Sequence, residues 1–157
     1  MKLIAHRGLT QGPDTELQNH PDQIRSVLHQ GFDAEIDLWL VNQTWMLGHD
    51  APQHAVTLHW LQLPGLWIHC KNTAALFALQ QQAPEINYFW HENDLLTLTS
   101  RGMVWTFLGR PETHSCNSVC VMPEATYSWP EIEHMAQLNT WYGICSDYVQ
   151  RIRACQG

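Results

Sequence analysis

Residues 33–50, DAEIDLWLVNQTWMLGHD, decide the fold of this chain. Side chains on a β-strand point alternately to opposite faces, so residues 33–41 divide into two rows. One row is wholly aliphatic, which predicts a face covered by helices: Ala34, Ile36, Leu38 and Leu40. The other row mixes acids with apolar residues: Asp33, Glu35, Asp37, Trp39 and Val41. Because its two apolar members favour burial, the mixed row indicates the inner wall of a barrel with a site at one end, rather than a solvated edge strand.

The carboxylates of Glu35 and Asp37 share one face and lie close together. Two adjacent like charges cost free energy unless a cation or hydrogen-bond donors offset them. The same stretch ends in Gly48-His49-Asp50, just after the short apolar run 45–47. Imidazole exchanges protons near neutral pH, so His49 beside a pair of acids is a candidate for acid–base chemistry.

Length and composition predict one globular domain over residues 1–157, since the chain is long enough for a core and 45% of it is hydrophobic. The net charge of −7 and the scattered basic residues argue against a nucleic-acid partner and against binding to a membrane surface. No stretch is typical of a membrane span or a secretory signal. Five cysteines without a regular framework indicate reduced thiols, so we expect a cytoplasmic protein.

Apolar runs and turn residues predict strands that alternate with helices, which is typical of parallel strands joined by crossover helices. The predicted strands are 3–7, 33–41, 66–71, 86–90, 103–107, 119–122 and 142–145, with 45–47 as an eighth candidate. The predicted helices are 21–31, 56–63, 73–83 and 129–138.

Polar groups recur at the carboxyl ends of these strands, where α/β folds place their active sites. They are His6-Arg7, Glu35 with Asp37, His69 with Lys71, His91-Glu92 and Asp147. Only Gly8 follows the first strand, which argues against a nucleotide-binding phosphate loop. Inward carboxylates favour a closed barrel, but a usual one needs ~250 residues. The sequence therefore predicts an α/β fold, a small or truncated TIM-like (β/α) barrel with short helices.

Four short motifs follow one another in the order found in a known group of enzymes. They are His6-Arg7-Gly8, Glu35-x-Asp37, His49-Asp50, and Gly143-Ile144-Cys145-Ser146-Asp147 on the last strand. Together they resemble the glycerophosphodiester phosphodiesterase and phosphatidylinositol-phospholipase-C-like superfamily. The match is best over the first 75 residues, and the short chain is similar to a compact bacterial subgroup of phosphodiesterase-like proteins.

The resemblance implies a barrel that cleaves a small phosphodiester, with acid–base roles for His6 and His49. It also implies phosphate contacts for Arg7, while Lys71 falls where members carry a basic residue on the third strand. The chemistry is consistent with this reading. A phosphodiester anion resists attack, so its site needs positive charge around the oxygens, a base and an acid.

The resemblance further implies a divalent cation, magnesium or calcium, on Glu35 and Asp37, with His69 as a third candidate ligand. The chain departs from the family in two places. His69 stands where members often carry a metal-binding acid, and Gln18-Asn19 stands where they often carry Glu-Asn. Hard cations prefer oxygen ligands, so three readings stay open: a weaker site, a transition metal, or no metal.

Two other functions also stay open. These departures favour a barrel that binds a sugar-phosphate or glycan without cleaving it. A zinc protein is the third reading, although the spacing of its candidate ligands matches no common zinc motif. Those ligands would be His69, Cys70, His114, Cys116 and Cys120.

Overall fold

A computed structural model describes residues 1–107 and 115–156, and strands alternate with helices along them. The strands are β1 (Lys2–Ala5), β2 (Asp33–Val41), β3 (Thr44–Leu47), β4 (His54–Val56), β5 (Leu66–Cys70), β6 (Tyr88–Phe89), β7 (Leu96–Leu98), β8 (Val104–Phe107), β9 (Ser118–Val121) and β10 (Gly143–Ser146). The helices are α1 (Pro21–His29), α2 (Leu58–Leu61), α3 (Thr73–Gln82), α4 (Trp129–Leu138) and α5 (Val149–Ala154). Short 3-10 turns lie at His6–Gly8 and Pro123–Ala125.

Eight strands pair in the order β7-β8-β9-β10-β1-β2-β5-β6 and curl into a half-barrel. All of these are parallel to their neighbours except β7, which runs antiparallel to β8. The β3–β4 hairpin extends the sheet beyond β2 in antiparallel pairing. The predicted α/β class is therefore confirmed, with parallel strands at its centre.

The two ends of this path approach each other. Ser100 N donates a hydrogen bond to Tyr88 O at 2.8 Å, and the rings of Phe89 and Trp105 pack with centroids 4.7 Å apart. Among the described residues, no ladder pairing joins β6 to β7. The sheet is therefore a half-barrel whose edges, in the described part of the chain, meet through side chains and through the backbone hydrogen bond between Ser100 and Tyr88.

The curled sheet separates an outer core from an inner one. Ala34, Ile36 and Leu38 of β2 pack outside against helix residues such as Ile24 and Val27 of α1. The inner cluster lies on the concave face: Ile4, Trp67, Phe89, Trp105, Val119, Val121 and Cys145. The aliphatic row of β2 thus faces the helices, as its alternation predicts, and the carboxylate row faces inward.

One side chain joins the start of α3 to β2. Asn72 is the N-cap of α3, and its Oδ1 accepts from Ala75 N at 2.9 Å. Its amide group also bonds both backbone groups of Leu40, at 3.3 Å to the N–H and 3.1 Å to the carbonyl. The position of Lys71, immediately before this cap, is fixed as a result.

Several element predictions were wrong in detail. The segment 56–63, predicted as one helix, instead ends β4 and forms the short α2, because residues 54–56 pair with β3 and Thr57 caps the helix. Neither β7 nor α5 was predicted. Val41 is 37% exposed and Trp39 is half-buried, because the end of β2 extends past the inner core into the β3–β4 hairpin.

Within the described part of the chain, no helix combines the length and the apolar character that crossing a membrane requires.

Candidate functional site

A cavity of about 420 Å³ opens at the carboxyl ends of the parallel strands. One part of its lining comes from the turn after β1, from β2, from the loop after β3, and from the end of β5. The other part comes from residues 91–95, from β8 and from β9. The lining includes all seven predicted site residues: His6, Arg7, Glu35, Asp37, His49, His69 and Lys71. Residues up to 65 positions apart along the chain therefore meet at one site, because parallel strands bring their carboxyl ends to one edge.

Asp37 is the centre of this site and is 1% exposed. Five donor groups surround its two oxygens. Oδ1 lies 3.1 Å from His69 Nδ1 and 3.6 Å from Lys71 Nζ. Oδ2 lies 3.0 Å from Asn19 Nδ2, 3.0 Å from His49 Nδ1 and 3.4 Å from Arg7 Nε. Burial alone would raise the pKa of Asp37, but the hydrogen bonds of His49 and His69 and the charge of Lys71 outweigh it. They hold the pKa well below its usual range, so Asp37 is ionised at neutral pH.

Asn19 holds the first loop against β2. It is fully buried, and its φ of 56° lies in the left-handed region, which asparagine tolerates better than most residues. Its side chain donates to Asp37 Oδ2 and accepts from Asp37 N at 2.8 Å, while Asn19 N donates to Arg7 O at 2.9 Å. In the sequence, Gln18-Asn19 stands out only as a departure from the family pattern, and this role of Asn19 is not predicted. The contact depends on the fold, because α1 separates Asn19 from β2 along the chain.

Arg7 connects the two carboxylates with one of the histidines. Its backbone N–H donates to Glu35 Oε2 at 3.0 Å, and its Nη1 donates to Gln18 Oε1 at 3.2 Å. Its Nη2 lies 3.1 Å from His49 Nε2. Arginine only donates, so His49 Nε2 is the acceptor of this hydrogen bond. Because His49 Nδ1 faces the ionised Asp37, Nδ1 carries the proton and His49 is the neutral tautomer with a lone pair on Nε2.

Glu35 lies beside Asp37 on β2 and is 3% exposed. Burial is the largest cause that raises its pKa, and the negative charge of Asp37 raises it further. The two neighbouring acids thus have pKa values that shift in opposite directions. Such divergence is common where two carboxyl groups share a site.

His6 is paired with a carboxylate from the far end of the chain. Its Nδ1 lies 2.8 Å from Asp147 Oδ1, so His6 donates to Asp147 and its Nε2 is left for the cavity. Burial lowers the pKa of His6, but the hydrogen bond to Asp147 and the charge of Glu35 outweigh burial, and the pKa is raised. Asp147 is held by its own N–H, which donates to Glu124 Oε1 at 3.1 Å.

The sequence places Asp147 at the carboxyl end of a predicted strand but gives it no role in the site. It is 5% exposed, because β10 pairs with β1 in a register that aligns Ser146 with Ala5. The residues that follow these two positions, Asp147 and His6, therefore lie side by side. The signal was present in the sequence, since both residues lie at the carboxyl ends of predicted strands, but the adjacency of β1 and β10 was not.

Two acceptor oxygens and two aromatic rings hold the side chain of His69 in place. Its Nδ1 faces Asp37 Oδ1, and its Nε2 lies 3.2 Å from the carbonyl oxygen of His91. Its ring stacks nearly parallel on Phe89 and on His91, with centroids 5.3 and 4.5 Å apart. Burial, with the nearby charges of His69 and Lys71, lowers the pKa of His91 to about 4, so His91 is neutral. The wall beyond His91 continues with Glu92 and Asp94.

Among the described residues, the group that could hold a divalent cation is Glu35, Asp37 and His69, which offer ligand atoms within 4.8 Å of one another. Three hydrogen bonds and two ion pairs already engage the oxygens of Asp37, and Glu35 Oε2 accepts from Arg7 N. The third ligand is a nitrogen, whereas hard cations prefer oxygen. As arranged, this donor set does not fit magnesium or calcium, and the cation expected from the sequence stays a prediction.

The zinc reading has little geometric support. His69 faces the cavity, whereas Cys70 and Cys120 lie in the outer core and Cys116 is exposed. His114 lies outside the described residues. Among the described residues, these side chains do not meet at one point.

The chain matches no protein-family model and no curated protein sequence. Its function is therefore inferred from the geometry and the chemistry of this cavity.

Proposed function

We propose that the chain is a phosphodiester hydrolase that acts on a small glycerophosphodiester or sugar-phosphodiester. The observation that carries this proposal is the meeting of His6 and His49 in one cavity with Arg7 and Lys71. Each histidine has its Nδ1 against a carboxylate, which directs its Nε2 as the nitrogen available for proton transfer. Two oriented imidazoles beside two cations suit a reaction that needs a base, an acid and charge stabilisation.

Positive charge attracts the substrate locally, although the whole protein is acidic. The Arg7 guanidinium offers a planar set of donors that matches phosphate oxygens, and Lys71 adds a compact point charge. Both side chains line the cavity, with 22% and 18% of their surfaces exposed. A phosphodiester monoanion in the cavity can therefore contact Lys71, and can contact Arg7 once its Nη2 leaves His49 Nε2.

The hydrogen bonds of the two histidines and the raised pKa of His6 support one arrangement of the two proton transfers. His49 Nε2 holds a lone pair, so it accepts a proton from water once Arg7 turns to the phosphate. The water oxygen bonds to phosphorus, and the bond from phosphorus to the leaving oxygen breaks. His6, whose raised pKa favours its protonated form, donates a proton to that leaving oxygen. The products are a phosphomonoester and an alcohol. A neighbouring hydroxyl of the substrate can replace water, and the first product is then a cyclic phosphodiester.

We propose on the same grounds that the chain belongs to the glycerophosphodiester phosphodiesterase and phospholipase-C-like superfamily, with a small TIM-like barrel. Seven parallel strands and an inner cluster of apolar side chains support the barrel. The contact between Ser100 and Tyr88 supports its closure.

Hydrolysis of bis-(p-nitrophenyl) phosphate and of glycerophosphodiesters tests this function. We expect His6→Ala and His49→Ala each to lower kcat by about 10²–10⁴-fold, the usual contribution of a general acid or base. His134→Ala is the matched control, because His134 is an exposed residue of α4. Unchanged turnover in both site variants would refute the assignment. Phosphate binding without any turnover would favour the alternative of a non-catalytic barrel that binds a sugar-phosphate.

A further inference from the structure

A divalent cation was expected at Glu35 and Asp37, but two cationic side chains of the protein, Arg7 and Lys71, already lie beside Asp37. We propose that Arg7 and Lys71 take over the role of that cation, so that the site binds a phosphate anion without a divalent metal. This inference rests on the proposed function, because it specifies how the same cavity holds its anionic substrate. It stands on the hydrogen bonds of Asp37, the charge balance of the site, and the orientation of His69.

The first observation is that both oxygens of Asp37 already have partners. A carboxylate offers about four lone-pair positions. Asn19, His49 and His69 donate three hydrogen bonds to the oxygens of Asp37, and the cations of Arg7 and Lys71 lie 3.4 and 3.6 Å away in ion pairs. A cation that bound here would have to displace Lys71, Arg7 or a histidine from a carboxylate that they already neutralise.

The second observation is the charge balance. Glu35 and Asp37 together contribute at most two negative charges, and the guanidinium of Arg7 and the ammonium of Lys71 beside them contribute two positive ones. Both cations lie within 3.6 Å of Asp37. His6, whose pKa is raised, adds positive charge to the same cavity, while Glu92 and Asp94 line its wall farther from Asp37. An added divalent cation would meet two like charges at close range in a buried site, where solvent screens them poorly.

The third observation concerns His69, the remaining candidate ligand. Its Nε2 faces the carbonyl of His91, and its ring stacks on Phe89 and His91 with interplanar angles of 3° and 8°. The ring is held so that Nδ1 faces Asp37 Oδ1 at 3.1 Å. Nδ1 therefore donates to the ionised Asp37, and a metal ligated by Nδ1 would have to displace that hydrogen bond.

Direct binding measurements test this inference without depending on turnover. The probes are Mn²⁺, followed by electron paramagnetic resonance, and inorganic phosphate, followed by calorimetry with EDTA or with Mg²⁺. For the wild-type chain we expect phosphate affinity to be the same with EDTA and with Mg²⁺, and no stoichiometric binding of Mn²⁺.

The variant Lys71→Met sharpens the test. It removes one cation from the cavity and exposes Asp37 Oδ1, so we expect phosphate affinity to fall by about tenfold or more. We also expect Mn²⁺ binding to appear, since a carboxylate oxygen becomes available. Lys2→Met is the matched control, because Lys2 is the other lysine of the chain and pairs with Asp33 away from the cavity.

Stoichiometric Mn²⁺ binding by the wild-type chain, or loss of phosphate binding in EDTA, would overturn the inference. Failure to bind phosphate under any metal condition would overturn it as well. If Lys71→Met does not fold, the Mn²⁺ and phosphate titrations of the wild-type chain still test the inference. An absence of hydrolysis with metal-free phosphate binding intact would refute the proposed function and leave this inference standing.

Discussion

At the residue scale, the acid–base character of His6 depends on Asp147. The two side chains come from opposite ends of the chain, and a hydrogen bond of 2.8 Å joins them. Burial on its own would favour the neutral imidazole, so the carboxylates of Asp147 and Glu35 are what keep His6 protonated to higher pH. Asp147 therefore acts by positioning and charging His6, and it need not touch the substrate.

Asp147→Asn tests this dependence. Replacing the carboxylate by an amide removes a cause that raises the pKa of His6, so that pKa falls. A step that needs protonated His6 slows as pH rises through its pKa. The alkaline limb of the pH–rate profile should therefore move to lower pH, and kcat above neutral pH should fall by about tenfold, part of the usual contribution of a general acid. Titration of the His6 ring by NMR measures the pKa directly.

Asp50, the acid next to His49 in the chain, supplies the control for Asp147→Asn. Asp50 Oδ1 lies 3.7 Å from His49 Nε2, but its side chain is 93% exposed. Solvent screens an exposed pair, so Asp50→Asn should leave the profile unchanged. An identical alkaline limb in Asp147→Asn and in the wild type would contradict the positioning role.

At the element scale, the turn after β3 determines where His49 lies. Gly48 N donates to Asp37 O at 3.1 Å, and Gly48 O accepts from Trp39 Nε1 at 2.6 Å. Both bonds fix the loop to β2. Gly48 has a φ of 149°, a region that side chains with a Cβ rarely adopt, and an added Cβ would collide with the backbone oxygen of Ala51.

We therefore expect Gly48→Ala to displace His49. The free energy of unfolding should fall by about 1–3 kcal/mol, and hydrolysis should fall with it, because the imidazole no longer reaches Asp37 and Arg7. Gly31→Ala is the control: Gly31 has a φ of 83° but open space around its Cβ position. That variant should cost about 1 kcal/mol of stability and leave kcat unchanged. Denaturant unfolding and steady-state assays measure the two effects, and equal kcat losses in both variants would refute the explanation.

At the scale of the whole molecule, the reactivity of the five cysteines reports whether the two cores are closed. Cys70 and Cys120 lie in the outer core and Cys145 in the inner core, and all three are fully buried. Burial raises the pKa of Cys70 and of Cys120 to about 12 and raises that of Cys145 well above its usual value. Cys116 is exposed and Cys155 is partly exposed.

The folded chain should accordingly show two reactive thiols at pH 8, those of Cys116 and Cys155, and five after denaturation. Thiolate is the reactive form, so buried thiols with raised pKa values stay inert until the cores open. Reaction with a chromogenic disulfide, followed by peptide mapping, gives the count and the positions. Rapid labelling of Cys120 or Cys145 in the native state would contradict the assignment of β9 and β10 to the sheet.

Much of the site could be predicted from the sequence because strand periodicity and strand ends are local features. The inward row of Glu35 and Asp37 follows from period-two alternation, and His6, Arg7, His69 and Lys71 follow from their places at strand ends. Elements shorter than a few residues could not be predicted in this way. β4 and β7 have no pattern of their own and depend on pairing partners supplied by the surrounding chain.

By itself, the sequence determined the α/β class, the face of β2 that turns inward, and the set of polar residues gathered at one edge of the sheet. The reason is that these depend on spacing within a few residues. Only the tertiary structure decided which groups pair there: Asp147 with His6, Arg7 with His49, and five donors with Asp37. These pairings depend on the curl of the sheet, which places β10 beside β1 and β5 beside β2, and no local pattern specifies that neighbourhood.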